Sequence, residues 1–167
     1  YSCSIFGIEP DEQEFEIIQQ KLKEQNLPQE NFKQEFGEKL SFDSNIFDVV
    51  HCFTVLEHVK NVKQCLEEMI RITKPGGLIY INTPNYSYPE ERHYKIIFPT
   101  FLPKFLGKIY LFLRGKPTKF IDSINFLTEK NLNKILLVIP NIIFYRVYMP
   151  GKFFGHYPNQ EIIIQKL

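Results

Sequence analysis

The sequence predicts an α/β fold in which a mostly parallel sheet carries helices on both faces. The main observation is that residues 47–84 follow the order strand, helix, glycine turn, strand. Residues 48–53 are a short, valine-rich apolar run, which is typical of a strand buried on both faces. Two such strands joined by a helix run parallel, with a right-handed crossover. A second observation is the pair of strand-like segments that ends the chain, at residues 141–149 and 161–167.

The helix of this central unit has recognisable start and stop signals. Asn61, followed three residues later by Gln64, is a capping-box pattern that predicts a helix start. Apolar residues then recur at helical spacing, namely Val62, Cys65, Leu66, Met69 and Ile70. The sequence KPGG at residues 74–77 predicts the end of the helix, and residues 78–81 predict the next buried strand. Thr128 predicts the cap of a later helix.

The first predicted strand covers residues 4–9 and ends at Glu9. Asp11 and Glu14 then predict the capped start of a helix, and residues 31–36 predict a further strand. An acid at the end of a strand, immediately before a helix, can accept hydrogen bonds from the ribose hydroxyls of a nucleotide-like cofactor. The alternative is a solvated carboxylate at the helix start.

Residues 86–120 contain seven Lys or Arg and two Glu, interleaved with aromatic and aliphatic residues. Within them, residues 103–114 predict an amphipathic helix with one apolar stripe, formed by Leu106, Ile109, Tyr110 and Leu113. This composition suits an anionic, partly apolar substrate. A packed cap with a solvated basic face is one alternative, and peripheral membrane contact through residues 103–114 is another.

The sequences FDVVHCFTVLEHV at residues 47–59 and KPGGLIYINTPN at residues 74–85 resemble the class I S-adenosylmethionine-dependent methyltransferases of the small-molecule type. The resemblance runs from residue 4 to about residue 137. It implies a Rossmann-like, mostly parallel sheet with an antiparallel last strand. It also implies a single domain over residues 1–167, with a cap or insertion at about residues 86–120. S-adenosylmethionine is the implied cofactor, and the implied acceptor is a small-molecule, lipid-linked or glycan-type compound.

The resemblance also implies the site residues. Those expected to bind the cofactor are Glu9 (at the ribose), Pro10, Gly37, Glu38, Phe53 and Thr54. Those expected at the substrate are Asn85, Tyr86 and Tyr94, and the expected catalytic residues are His58 and His93. His58 could accept a proton from the acceptor, or it could instead fix the loop before the helix. Phe36 stands where the family usually has an Asp beside the adenine, so a backbone amide near Gly37 or the Glu38 side chain would serve there.

The family's glycine-rich loop follows a first strand that would precede residue 4, and no GxG pattern occurs in this sequence. We therefore expect the domain to lack its first strand and this loop. In the family's strand order, that strand lies between the strands ending at Glu9 and Phe53. The alternative is a degenerate, non-catalytic binding domain. A nicotinamide dehydrogenase is disfavoured, because its doubly wound sheet does not normally end on an antiparallel strand.

Composition narrows the class of protein. The 167 residues are 44% hydrophobic and 23% charged, as expected for one globular domain. A net charge of +1 gives no argument for nucleic-acid binding. The three cysteines have neither metal-ligand nor disulfide spacing, and no apolar run is long enough to span a bilayer, so a cytoplasmic setting is expected. The methyl acceptor and the oligomeric state stay open.

Overall fold

A computed structural model describes residues 3–91, 96–98, 103–148, 151 and 155–167. The strands are β1 (Gly7–Ile8), β2 (Phe32–Lys33), β3 (Phe47–Phe53), β4 (Thr73–Pro84), β5 (Glu90–Glu91), β6 (Ile96–Ile97), β7 (Ile142–Val147) and β8 (Asn159–Lys166). The helices are α1 (Glu12–Glu24), α2 (Val62–Ile72), α3 (Lys104–Leu113), α4 (Phe120–Ser123) and α5 (Glu129–Leu136), with a 3-10 turn at Gln29–Asn31.

The main sheet has four strands in the order β3-β4-β8-β7. β3 and β4 are parallel, and β8 is antiparallel to both of its neighbours, β4 and β7. Three of the four strands therefore run in one direction, and the predicted antiparallel last strand is confirmed. β4 starts at Thr73 rather than at residue 78, because the KPGG segment bulges between the pairs Phe47–Thr73 and Val49–Leu78. Gly76 provides the left-handed conformation that this bulge requires (φ 78°).

The core lies on one face of this sheet. Four isoleucines point into it and are fully buried: Ile79, Ile81, Ile162 and Ile164. They pack in one cluster with Leu66 of α2 and Leu132 of α5, which are also fully buried. The opposite face of the sheet carries the exposed side chains of Val49, Phe53 and Tyr145. In the described part of the chain, helices therefore cover one face of the four-stranded sheet rather than both.

β1 and β2 form a separate parallel pair. Each strand is two residues long, shorter than the strands predicted at residues 4–9 and 31–36. A cavity of about 500 Å³ lies between β1 and β3, with mainly apolar walls. At one side of it the rings of Phe6, Phe42 and Phe47 meet edge to face, with centroids 5.1–6.1 Å apart. β1 pairs with β2 at Gly7 and Ile8 alone, so its ladder is short.

Arg71 of α2 fixes the segment that enters β3. Its guanidinium donates to the carbonyl oxygens of Leu40 (2.9 Å) and Phe42 (2.8 Å). Glu68 pairs with Arg71 and accepts a hydrogen bond from the amide of Leu40 (2.8 Å). The hydrogen bond from Arg71 holds the pKa of Glu68 below its usual value. This network positions one wall of the cavity.

A second, smaller apolar cluster is formed by described residues of the segments 96–98 and 110–126. Its buried members are Ile96, Phe98, Leu111 and Ile121, with Tyr110 and Phe126 packed against them. The predicted helix 103–114 is present as α3, but the predicted stripe is wrong in part, because Ile109 and Leu113 are exposed. No helix in the described ranges is long and apolar enough to cross a membrane.

Candidate active site at the carboxyl ends of β3 and β4

The carboxyl ends of β3 and β4 lie side by side, because the two strands are parallel neighbours. Beyond β3 the chain turns sharply at Thr54, whose φ of 53° is unusual for a residue with a β-branched side chain. The amide of Thr54 donates to the carbonyl of Asn82 (2.8 Å), which holds this turn against β4. Such strained turns cluster at functional sites, and this one lies where an α/β fold binds its ligands.

Glu57 is the most unusual side chain of the following loop, because it is a fully buried carboxylate. Its Oε2 accepts a hydrogen bond from the hydroxyl of Thr83 at the end of β4 (2.9 Å). Its Oε1 has no hydrogen-bond partner among the described residues and lies 4.0 Å from Nε2 of His58. The imidazole of His58 is itself exposed. Glu57 therefore joins the two strand ends and places a carboxylate oxygen beside the predicted catalytic histidine.

Asn125 holds this loop from the other side. Its backbone amide donates to the carbonyl of Glu57 (2.7 Å), and its side-chain nitrogen donates to the carbonyls of Val59 (2.6 Å) and Leu56 (3.3 Å). Sequence analysis missed Asn125, because it sits in a loop 66 residues from Val59 and belongs to no local pattern. The loop carrying Glu57 and His58 is consequently fixed by the segment that precedes α5.

Gln160 of β8 is a second buried residue that sequence analysis missed. Its amide nitrogen donates to the carbonyls of Leu127 (2.8 Å) and Pro84 (3.3 Å), so it ties the loop after β4 to the segment before α5. Its oxygen accepts from Arg146 of β7 (3.3 Å). No short-range signal predicts this role, because a glutamine in a strand is usually read as a solvent-facing residue.

The predicted substrate residues Asn85 and Tyr86 are buried. The side chain of Asn85 donates to the carbonyl of Tyr157 (3.0 Å) and accepts from the amide of Ser87 (3.0 Å), so it shapes the turn after β4. The ring of Tyr86 packs on Phe126 with centroids 4.9 Å apart. In this structure the contacts of both side chains hold the segment that follows β4. His93 and Tyr94, the other two predicted residues of this segment, lie outside the described residues.

Glu9 stands at the end of β1, where its amide donates to the carbonyl of Lys33 of β2 (3.1 Å). Asp11 caps α1 as predicted, accepting hydrogen bonds from two amides of the first turn. Glu9 Oε1 accepts a hydrogen bond from the Asp11 amide (2.9 Å), and no described residue donates to Oε2. Pro10 between them is exposed. The carboxylate of Glu9 thus keeps acceptor capacity for a ligand.

Glu38 has a role that the sequence did not reveal. Its Oε1 accepts hydrogen bonds from the amides of Lys60 (2.6 Å) and Asn61 (3.2 Å), at the start of α2. Asn61 caps α2 as predicted, accepting from the amide of Gln64 (3.1 Å). The Gln64 side chain, however, bonds to the carbonyl of Glu38 (2.9 Å) rather than completing the capping box. Glu38 therefore completes the cap, and its Oε1 is engaged with protein amides.

Gly37 is a point of close approach between this turn and α2. A Cβ atom added at Gly37 would lie 2.9 Å from the sulfur of Cys65, which is closer than real Cβ contacts. Cys65 is buried, and burial raises the pKa of its thiol to about 12. The turn at residues 36–38 can pack on α2 because it carries no side chain at Gly37.

We predict that Gly37→Ala lowers the free energy of unfolding by about 1–3 kcal/mol, because the added methyl group overpacks the contact with Cys65. The matched control is the same substitution in a Cys65→Ala protein, where the sulfur is absent and the added cost should fall below about 0.5 kcal/mol. Urea unfolding of the four proteins of this cycle gives the coupling. An equal cost in both backgrounds would show that Gly37 matters for another reason.

The other face of the sheet also carries polar groups at this end. Glu161 of β8 accepts hydrogen bonds from the Tyr80 hydroxyl (3.0 Å) and from the Asn82 side chain (3.1 Å). Burial, together with Glu161, raises the pKa of Tyr80. The exposed ring of Phe53 stacks with His51, which in turn stacks on Tyr80 (centroids 5.8 and 5.3 Å apart). Phe53 thus offers an open aromatic surface beside the turn at Thr54.

Residues 1–81 match the family described as a methyltransferase domain. The demethylmenaquinone methyltransferase of Lactococcus lactis is 31% identical over 111 residues, which cover 65% of this chain and 44% of that protein. The ubiquinone biosynthesis O-methyltransferase of Rickettsia conorii is 40% identical over 55 residues, covering 33% of this chain and 19% of that protein. The chain therefore spans less than half the length of these curated relatives.

Solved structures extend the likeness over nearly the whole chain. A SAM-dependent methyltransferase from Thermotoga maritima superposes with a TM-score of 0.61 at 17% identity, covering 98% of this chain and 73% of that one. A SAM-dependent methyltransferase from Aquifex aeolicus gives a TM-score of 0.62 at 17% identity, covering 98% and 69%. At such identities the likeness concerns the fold.

The parallel β3-α2-β4 unit and the antiparallel β8 define an α/β fold of the class I methyltransferase type. The family model of the methyltransferase domain matches residues 1–81 of this chain. The resemblance seen in residues 47–85 is thus confirmed by comparisons of both sequence and structure.

Proposed function

We propose that the protein transfers a methyl group from S-adenosylmethionine to a small, apolar acceptor. The observation that carries this proposal is the methyltransferase-domain match over residues 1–81, which includes Glu9, Gly37 and the loop of Glu57 and His58. The second support is geometric, since Glu9 ends β1 and the loop carrying Glu57 follows β3, on strands of a methyltransferase-type fold.

The residues present fit such a cofactor at three points. Glu9 would accept hydrogen bonds from the ribose hydroxyls, because its Oε2 has no donor among the described residues. The adenine would lie beside Gly37 and contact the backbone there. A backbone contact is preferred because Oε1 of Glu38 already accepts hydrogen bonds from amides at the start of α2. Phe53 supplies an exposed aromatic ring, next to the turn at Thr54. When bound, S-adenosylmethionine supplies an electrophilic methyl group on sulfur.

The chain's own contribution to the chemistry would be positioning and proton transfer. His58 would take the proton that a hydroxyl or amine of the acceptor loses, because its imidazole is exposed and imidazole is the commonest general base in enzymes. Glu57 Oε1, which lies 4.0 Å from Nε2 of His58, would help to orient the imidazole. Asn125 holds the loop that carries both residues.

The acceptor class rests on the relatives and on residues 86–126. The relatives' names specify demethylmenaquinone, ubiquinone biosynthesis and, in Caenorhabditis elegans, a sterol. The segment that follows β4 brings Tyr86 and Phe126 together next to the loop held by Asn125. Aromatic side chains at this position suit a partly apolar acceptor.

We also propose that the cavity between β1 and β3 receives a further parallel strand from residues upstream of Tyr1. The cavity has mainly apolar walls, and β1 and β3 are not paired with each other. A strand there would join the two sheets into one, and the turn after it would approach the cofactor near Glu9.

The test uses the protein extended upstream of Tyr1, incubated with methyl-labelled S-adenosylmethionine and a demethylated quinone or a sterol. We expect label in the organic phase and one S-adenosylhomocysteine per methyl group transferred. Binding of the cofactor without transfer to any acceptor would favour the second candidate, a non-catalytic binding domain. Micromolar binding by residues 1–167 alone would refute the proposed contribution of the upstream strand.

A further inference from the structure

Helix α3 exposes a row of large apolar side chains. Phe105, Ile109, Phe112 and Leu113 are 63%, 53%, 76% and 75% exposed. At 3.6 residues per turn these four positions fall within a sector of about 100°. Their spacing therefore makes them one continuous ridge along the helix, which we call the α3 ridge. A ridge of this kind on a protein surface indicates an interaction site.

The packing of the opposite side of α3 fixes the ridge in its outward orientation. Leu111 is fully buried in the cluster with Phe98 and Ile121. A Cβ atom added at Gly107 would lie 2.8 Å from Ile121 and 2.9 Å from Phe98, so the helix backbone rests directly on these side chains. The helix cannot rotate the ridge inward without giving up this contact.

The charges near α3 are mainly positive, and Asp122 of α4 is an acidic residue that pairs with one of them. Residues 92–121 contain seven Lys or Arg and neither Asp nor Glu. Lys108 turns away from the ridge to pair with Asp122 of α4 (2.7 Å), and Lys104 donates to the carbonyl of Ile124 (2.8 Å). These two are therefore not the freely solvated charges that the sequence suggested. Arg114 and Lys119 are exposed just beyond the end of α3 and leave its surroundings positive.

We propose that the α3 ridge docks on a membrane surface that contains anionic lipids. The helix would lie in the plane of the interface, with its four apolar side chains in the boundary of the acyl chains and the basic residues at the headgroups. Ten residues of helix are about 15 Å long, which suits a helix that lies on a bilayer and is far too short to span one. The positive surroundings favour a negatively charged surface over a second copy of the same basic segment.

This inference goes beyond the proposed function, because it concerns where the protein works and not what it transfers. It also holds without any methyl acceptor in place. The experiment below therefore measures lipid binding only, so its failure and the failure of methyl transfer are separate results.

The test is co-sedimentation of the upstream-extended protein with phosphatidylcholine vesicles, with and without about one-third phosphatidylglycerol. We expect saturable binding to the anionic vesicles that weakens with added salt. Phe112→Gln combined with Leu113→Gln should weaken it at least tenfold, while glutamine keeps the helix propensity. Replacing Arg114, Lys116 and Lys119 by Gln should also weaken it at least tenfold and flatten the salt dependence.

The matched control is Leu137→Gln combined with Val138→Gln, an adjacent apolar pair that is also exposed (72% and 67%) but follows α5. This control should leave vesicle binding within twofold of the parent, and circular dichroism should show that all variants are folded. The proposal would be overturned if the parent protein did not bind anionic vesicles. It would also be overturned if the control variant lost as much vesicle binding as the Phe112/Leu113 variant. A third result would also overturn it: the parent protein forms an oligomer without lipid, and only the Phe112/Leu113 substitutions abolish that oligomer. The α3 ridge would then contact a second copy of the chain.

Discussion

Replacing Arg146 by Met should lower the free energy of unfolding by about 3–5 kcal/mol, because the guanidinium is the cation of a buried polar network. Its side chain is 9% exposed. It donates to the side-chain oxygens of Asn133 (2.9 Å) and Gln160 (3.3 Å) and to the carbonyl of Glu129 (3.3 Å). Methionine fills a similar volume but leaves these acceptors without a donor. Burial lowers the pKa of Arg146, and the nearby carboxylate of Glu129 opposes this shift.

Urea unfolding measures this effect, and Arg114→Met is the matched control. Arg114 is exposed at the end of α3, so its replacement should change the free energy of unfolding by less than about 0.5 kcal/mol. Because Gln160 also ties Pro84 to Leu127, Arg146→Met should loosen the wall of the site as well. Equal stabilities for the two variants would mean that the buried network is not a source of stability.

Glu9→Ala should weaken binding of S-adenosylmethionine by more than tenfold, which corresponds to about 1.4 kcal/mol. A ribose has two adjacent hydroxyl donors, and a carboxylate can accept from both, whereas alanine offers no acceptor. The fold should survive, because the amide of Asp11 is the sole hydrogen-bond partner of the Glu9 side chain among the described residues. Isothermal titration calorimetry of the upstream-extended protein measures the affinity.

The control for this prediction is Glu12→Ala, which removes an exposed carboxylate from the first turn of α1 without touching the end of β1. Its affinity for S-adenosylmethionine should stay within twofold of the parent. If Glu9→Ala also left the affinity unchanged, the assignment of the ribose to Glu9 would be lost. The proposal of methyl transfer would still stand on the domain match over residues 1–81.

Sequence patterns predicted the elements whose signals are local. Asn61 and Thr128 cap α2 and α5 as expected, and the glycine turn follows α2. The direction of β8 was predicted from the family resemblance. Strand lengths were overestimated at residues 4–9 and 31–36, because a strand extends only where a neighbour pairs with it and local propensity carries no information about the neighbour.

The candidate site was predictable only in part, for the same reason. Glu9 was predicted as a site residue from its place at a strand end, and its role at the cofactor stays a prediction. Asn125 and Gln160 act through hydrogen bonds to residues 66 and 76 positions away, and no local signal marks such partners. The Oε1 atom of Glu38 also accepts hydrogen bonds from the amides of Lys60 and Asn61, a contact with α2 that no local signal marks, and the role of Glu38 at the cofactor stays a prediction.

The amphipathic pattern of α3 shows a third limit of sequence analysis. Periodicity predicted a helix with apolar residues, yet it could not decide which of them face the protein. The contact of Gly107 with Phe98 and Ile121 decides this, and it turns Phe112 and Leu113 outward. A glycine usually weakens a helix, so the sequence does not reveal that Gly107 allows close packing here.

The most direct test of the methyltransferase assignment is a crystal structure of the upstream-extended protein with S-adenosylhomocysteine, the product of the cofactor. We expect the ribose hydroxyls within about 2.6–3.2 Å of the Glu9 carboxylate, with the adenine beside Gly37. We also expect an added strand paired to both β1 and β3, in place of the cavity of about 500 Å³. A ligand bound away from the ends of β1 and β3, with Glu9 still bonded only to the amide of Asp11, would contradict the account.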